Sequence, residues 1–175
     1  LARAMTDHFL HTLRELVRAT KASAVHEVGC GEGHLVVLLA GEGLQVRASD
    51  FSRQVVAQAK QNAQTAGVQA TFEVASVYDL QAPAATSELV VCCEVLEHLP
   101  DPERALDILA SLARPHLIVS VPREPIWRML NMARGKYIGQ WGNTPGYLNH
   151  WSRRSFLRFI QRRLEVVECR SPFPW

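Results

Sequence analysis

The sequence predicts an α/β fold, a doubly wound and mostly parallel sheet, on three observations. A glycine-rich turn, VHEVGCGEG at 25–33, is followed 17 residues after its last glycine by Asp50, which closes QVRASD. Apolar runs of strand length alternate with segments of helical spacing. The runs ELVVCC (88–93) and HLIVSV (116–121) do not alternate in polarity, as expected of parallel strands covered on both faces.

Each element follows in order. Met5, Phe9, Leu13, Leu16 and Val17 recur at helical spacing between Arg3 and Arg18, giving an amphipathic lead-in helix. A strand over 24–29, a helix over 33–40 and a strand over 44–49 come next. Ser52 is placed to cap a helix that runs to about Ala66, and Gly67 stops it. A strand over 70–75 leads to the strand 88–93, a helix over 102–113 opened by Asp101-Pro102, and the strand 116–121. Residues 122–150, rich in Gly, Pro, Trp and Asn, break this rhythm and are expected to form a substrate-covering insertion beyond a strand end. A helix over 152–163 and a strand over 165–170 then lead to Pro172 and Pro174.

Strand, glycine turn, helix and a second strand ending in an acid describe a nucleotide pocket. The glycines alone serve NAD, FAD or S-adenosylmethionine (SAM) equally well. Glu27 in the strand and Glu32 in the loop put carboxylates where a pyrophosphate would need open amides and positive dipole. A ligand carrying an ammonium and a sulfonium is favoured by the same carboxylates, which points to SAM.

Size and composition fit a single domain over 1–175, with 47% hydrophobic residues. A net charge of +2 is too small to make nucleic acid the expected partner. No uncharged stretch approaches the roughly 20 residues of a membrane span, and no signal peptide is legible. Cys30, Cys92, Cys93 and Cys169 lack metal-type spacing and the density of a disulfide scaffold, so a reduced, cytoplasmic protein is expected. The chain begins at Leu1 rather than methionine, and the expectation is that a native N-terminal segment is missing. Oligomeric state is not legible.

Three ordered segments, HEVGCGEGH, ASDFS and VVCCEVLEHLPDPERAL, resemble motifs of the class I SAM-dependent methyltransferases, in the type 11, ubiquinone-biosynthesis-like group. The resemblance covers residues 20–170 and implies a Rossmann-like fold with SAM as cofactor. It implies that Gly29, Gly31 and the backbone at Cys30 lie under the methionine part, with Glu27 anchoring its ammonium. Asp50 would take the ribose hydroxyls and Phe51 would pack on the adenine. Where the family often carries an acid for the adenine amino group, this chain has Ser76, so that contact would rest on the hydroxyl and on the Val77 amide. Cys93 and Glu94 would face the sulfonium. The family's sheet normally ends in a seventh, antiparallel strand, and no residues remain for it here, so the sheet is expected to lack its last strand.

Methyl transfer demands orientation and, for some acceptors, a base. His98 is the candidate base at the carboxyl edge of the sheet, with Glu97 beside it; the competing reading is a segment that merely caps strand to helix. Glu94, Glu97 and His98 form ExxEH, similar to a divalent-metal motif of small-RNA 2′-O-methyltransferases and some ubiquinone O-methyltransferases; the further histidine of such sites would be His150, but Tyr147 occupies the spacing expected for it. A structural role is favoured over the metal. Trp127, Tyr137, Trp141, Tyr147 and Trp151 either line a pocket or anchor the insertion. Arg123, Arg128 and Arg134 either hold an anionic group or are solvated. The stripe Arg153, Arg154, Arg158, Arg162 and Arg163 is the charged outer face of a core helix in preference to a phosphate track. The expected function is SAM-dependent methyl transfer to an oxygen, nitrogen or carbon of a small molecule. An RNA methyltransferase and a SAM-binding module without catalysis are the alternatives.

Overall fold

The computed structural model describes residues 2–141 and 143–173; Pro174 lies outside them. Elements follow in the order α1 (Ala2–Thr20), β1 (Ala24–Val28), α2 (His34–Gly41), β2 (Gln45–Asp50), α3 (Arg53–Thr65), β3 (Thr71–Val74), β4 (Ser87–Cys93), α4 (Pro102–Leu112), β5 (Ala113–Ser120), α5 (Ile126–Ala133) and α6 (Arg153–Gln161). The sheet order is β3-β2-β1-β4-β5, with β1 parallel to both β2 and β4, and β2 parallel to β3. Strand order reverses between β1 and β4, the switch point at which open α/β sheets leave a crevice outside the strand ends.

The central strands explain their sequences. In β4, Leu89, Val90, Val91 and Cys92 are all fully buried, so both faces of the strand are covered and alternation has no role. Each buried Leu or Val contributes about 1.5–3 kcal/mol of apolar burial. Helix α4 adds Ala105, Leu106, Leu109 and Leu112 at i, i+3, i+4 spacing. Ser52 caps α3 as expected, its Oγ accepting the Val55 amide at 3.4 Å. His26 sits wholly buried in β1, bonded through Nδ1 to the Ala85 carbonyl and through Nε2 to Ser49 Oγ, each at 3.0 Å.

The described chain divides into two compact units. One comprises 17–93 and 103–119 and holds the sheet; the other comprises 1–16, 94–102 and 120–175.

Two expectations are corrected. Residues 165–170 do not form a strand: they pair with nothing in the described sheet, and Val167 is 90% exposed. Val166 and Val167 favour extended backbone, but a strand exists only when another backbone accepts its ladder hydrogen bonds. The segment 122–150, read as an insertion, contains α5, and its glycines follow that helix. The fifth strand also starts earlier than expected, at Ala113, and carries Pro115, which an edge position tolerates.

Candidate active site

The glycine turn is built by the end of β2. Gly29 and Cys30 both donate their amides to the Ser49 carbonyl, at 2.8 and 3.0 Å, and Gly31 donates to Asp50 Oδ2 at 3.1 Å. Asp50 Oδ1 accepts the Ser52 amide at 2.9 Å. Three turn amides are therefore consumed inside the protein rather than held open for a pyrophosphate, and each Asp50 oxygen keeps a further lone pair. Gly31 has φ +52 with nothing within 4 Å of where a Cβ would stand, so the backbone there borders open space. Gly33 has φ +79 and serves packing: a Cβ would come within 3.0 Å of the Ala59 Cβ on α3.

Beneath the turn, Glu27 is 3% exposed and its Oε2 has no hydrogen-bond partner among the described residues. Burial, then the nearby charge of Asp50, hold its carboxyl well above the usual carboxylate range. Burial likewise pushes the Cys30 thiol up to about 12, with Glu27 and Asp50 adding to it, so that thiol is inert at neutral pH. Glu32, by contrast, is exposed and lies 3.6 Å from His34. Phe51 is 79% exposed immediately after Asp50. Ser76 caps a 3₁₀ turn, Val77–Asp79, by accepting the Tyr78 amide at 3.3 Å, and Val77 is buried. Cys93 ends β4 half-buried and outside any disulfide.

The second unit holds the other predicted residues. Glu94 adopts φ +58, a conformation costly for a residue with a Cβ, and its carboxylate accepts the Ser120 hydroxyl at 2.8 Å while its amide donates to the Ser120 carbonyl at 3.1 Å. Glu97 is 1% exposed, with both carboxyl oxygens unpartnered among the described residues. Burial, reinforced by Glu94, pushes its carboxyl up to about 9. Its backbone carbonyl accepts the amides of Leu148 and Asn149, at 2.8 and 3.0 Å, and Asn149 Nδ2 donates to the carbonyls of Leu96 and Leu99. These bonds pin 146–149 against the segment carrying His98. His98 is exposed; its Nδ1 lies 3.0 Å from the Gly146 carbonyl, so Nδ1 carries the proton and Nε2 presents its lone pair. The Tyr147 ring meets His98 edge-on at 5.0 Å, and burial followed by Glu97 and Glu94 raises its phenol.

His150 is bonded to Asn143 Oδ1 at 2.6 Å, and among the described residues no group of three or more His, Cys, Asp or Glu is arranged to hold a metal ion. The aromatic residues of 122–151 have different described partners. Trp127 bonds Thr144, Tyr147 joins the histidines, Trp151 packs on Phe156 and Phe159, and Trp141 is 77% exposed. Arg128 donates to the Trp141 carbonyl and Arg134 to Asn131 Oδ1. Ser49, Ser120, Gly146 and Asn149 had no signal in the sequence, since each acts on a residue at least 19 positions away through its backbone or a short polar side chain.

Residues 25–116 match the family model described as a methyltransferase domain, which is more than half of the chain. The chain belongs to the methyltransferase domain family. Within it, the domain falls in the class I, ubiquinone-biosynthesis-like group. The methyltransferase domain is 37% identical over 120 residues to a ubiquinone biosynthesis O-methyltransferase of Xanthomonas axonopodis pv. citri, covering 66% of this chain and 50% of that protein. A namesake of Xanthomonas campestris pv. campestris is 34% identical over 168 residues, covering 90% and 70%. The chain spans about half the length of the first of these relatives. The fold is that of the magnesium protoporphyrin IX methyltransferase of Synechocystis solved with bound SAH, at TM-score 0.73 and 24% identity over 91% of this chain and 73% of that one. The methyltransferase domain of a bacterial Hen1 shares the fold at TM-score 0.70 and 20% identity, over 90% and 85%.

Proposed function

We propose that this domain binds SAM and transfers its methyl group to an oxygen of a small-molecule acceptor. The observation that carries the reading is Glu27, a buried carboxyl with an unpartnered oxygen beneath a turn whose Gly29, Cys30 and Gly31 amides are already bonded within the protein. Such a place disfavours a phosphate and suits an ammonium. Asp50, with a lone pair left on each oxygen, is the proposed holder of the ribose hydroxyls, and exposed Phe51 offers its ring to the adenine. Ser76 and the Val77 amide are proposed for the adenine edge, and Cys93 and Glu94 for the sulfonium. The likeness to O-methyltransferases at 37% and 34% identity supports oxygen as the acceptor atom.

SAM supplies a methyl carbon already activated by positive sulfur, so the protein's share is orientation and removal of a proton. His98 is the proposed base, since the Gly146 carbonyl fixes the tautomer that leaves Nε2 free to accept. Glu97 is proposed to position it: its carbonyl holds the 148–149 amides and thereby the chain that presents Gly146. Among the described residues no helix is long and apolar enough to cross a membrane.

Calorimetry with S-adenosylhomocysteine tests the reading. Micromolar binding to the wild type, abolished in Asp50→Ala with circular dichroism unchanged, is expected. Absence of binding to the wild type overturns it. With labelled SAM, the label is expected in the small-molecule fraction of a cell extract; label found solely in RNA would overturn the acceptor class.

A further inference from the structure

A cavity lies within the unit formed by 1–16, 94–102 and 120–175, and its reading does not depend on methyl transfer. An open cavity of about 790 Å³ is lined by Arg123, Glu124, Pro125 and Ile126 on one side and by residues of α6 from Arg153 to Gln161 on the other. That is within the size range of small-molecule sites. The two walls are joined by backbone: Arg123 bridges Trp151 in parallel fashion, and the Glu124 amide donates to the Trp151 carbonyl at 2.9 Å.

Four guanidinium groups, those of Arg123, Arg153, Arg154 and Arg158, border this one cavity, and among the described residues none has a carboxylate partner. A surface arginine needs no partner in water, but four like charges around a concave wall repel one another and lower the potential cost of an anion. Two helix starts add to this. Helix α5, of eight residues, begins at Ile126, and α6, of nine, begins at Arg153, so both positive dipole ends border the cavity. The sole acid in the lining is Glu124, which accepts the Arg128 amide at 3.4 Å. Four cations against one carboxyl leave more positive charge than a single carboxylate ligand neutralises, and they favour the double charge and three oxygens of a phosphate monoester. Between the arginines, Pro125, Ile126 and Leu157 give the cavity an apolar stretch that a bare ion would leave unused.

We propose that this cavity is a binding site for a small phosphate monoester carrying an apolar body, with the phosphate among Arg123, Arg153, Arg154 and Arg158 and the body against Ile126 and Leu157. The arginine stripe of α6 is thus more than a solvated outer face: Phe159 and Ile160 are buried while Arg153, Arg154 and Arg158 are exposed and share a cavity.

Calorimetry of the whole chain with hexyl phosphate, inorganic phosphate and 1-hexanol tests the proposal. Hexyl phosphate is expected to bind at least about tenfold more tightly than inorganic phosphate, because the alkyl chain leaves water, and hexanol is expected not to bind. The exposed double variant Arg154→Gln/Arg158→Gln should weaken hexyl phosphate at least about tenfold, the loss expected for charge-assisted bonds. Ile126→Gln should erase the preference for hexyl phosphate over inorganic phosphate. No binding to the wild type, equal binding by the double variant, or equal affinity for the two phosphates would each overturn it. So would a single-stranded RNA that binds more tightly than hexyl phosphate and loses its affinity in the same double variant.

Discussion

Glu27 combines a stability cost with a proposed binding role. A carboxyl that is 3% exposed with one oxygen unpartnered destabilises the fold whenever it is ionised. Replacing it with Gln removes the charge at almost constant volume. Glu27→Gln is therefore expected to melt at the same or a higher temperature, by differential scanning fluorimetry, yet to bind S-adenosylhomocysteine about 10- to 100-fold more weakly, the loss of one charge-assisted hydrogen bond. A variant that loses stability and keeps affinity would assign Glu27 to the fold instead. The identity of this residue was readable in VHEVGCGEG, and so was its place in a strand. Its missing partner was not, because partners come from neighbouring strands: Glu27 faces Ala48 in β2 and Val91 in β4.

At the level of elements, the strand-turn-helix unit assigns different tasks to glycines only two positions apart. Gly33→Ala forces a Cβ to within 3.0 Å of Ala59 at φ +79 and should lower stability by about 2 kcal/mol, read as an earlier urea midpoint. Gly31→Ala meets nothing within 4 Å and should cost about 1 kcal/mol, from its φ of +52 alone. Its effect is expected instead on S-adenosylhomocysteine affinity, since the new methyl projects into open space beside the turn. Reversal of the two urea midpoints would sink this division of labour. Periodicity located the central elements because they bury apolar stripes, as Leu106 and Leu109 do in α4 and Leu89 to Cys92 do in β4. It failed at 165–170, where the β-branched Val166 and Val167 have no neighbouring backbone to pair with in the described sheet.

Across the molecule, two buried ionisable groups give stability opposite dependences on pH. Burial lowers the His26 pKa below its ordinary 6.5, with the Ala85 bond opposing, so the unfolded chain binds the proton more readily. That contribution is complete above the unfolded pKa and is lost as pH falls through the folded one. Glu97 acts in the other sense: its folded pKa of about 9 exceeds the ordinary 4.5, so its contribution is complete below 4.5 and declines as pH rises toward 9. The slope from one such group is at most about 1.4 kcal/mol per pH unit. Urea unfolding is expected to show Glu97→Gln gaining on the wild type steadily from pH 5 to pH 8.5. A constant difference across that range would mean that Glu97 ionises freely. Trp127, Trp141 and Trp151 lie in the same compact unit as Glu97, so tryptophan fluorescence reads it directly.

By itself the sequence determined the doubly wound sheet, the glycine turn and its acid, and the ExxEH segment that follows β4. These are local patterns: burial on both faces, a positive φ and a strand-end carboxylate leave their mark on adjacent residues. Tertiary structure alone decided that the turn's amides are spent on Ser49 and Asp50, that His98 is fixed by a carbonyl 48 positions away, and that four arginines from two segments share one cavity. The reason is that a hydrogen bond or a shared cavity depends on distance in space, and folding brings those atoms together without requiring any pattern along the chain.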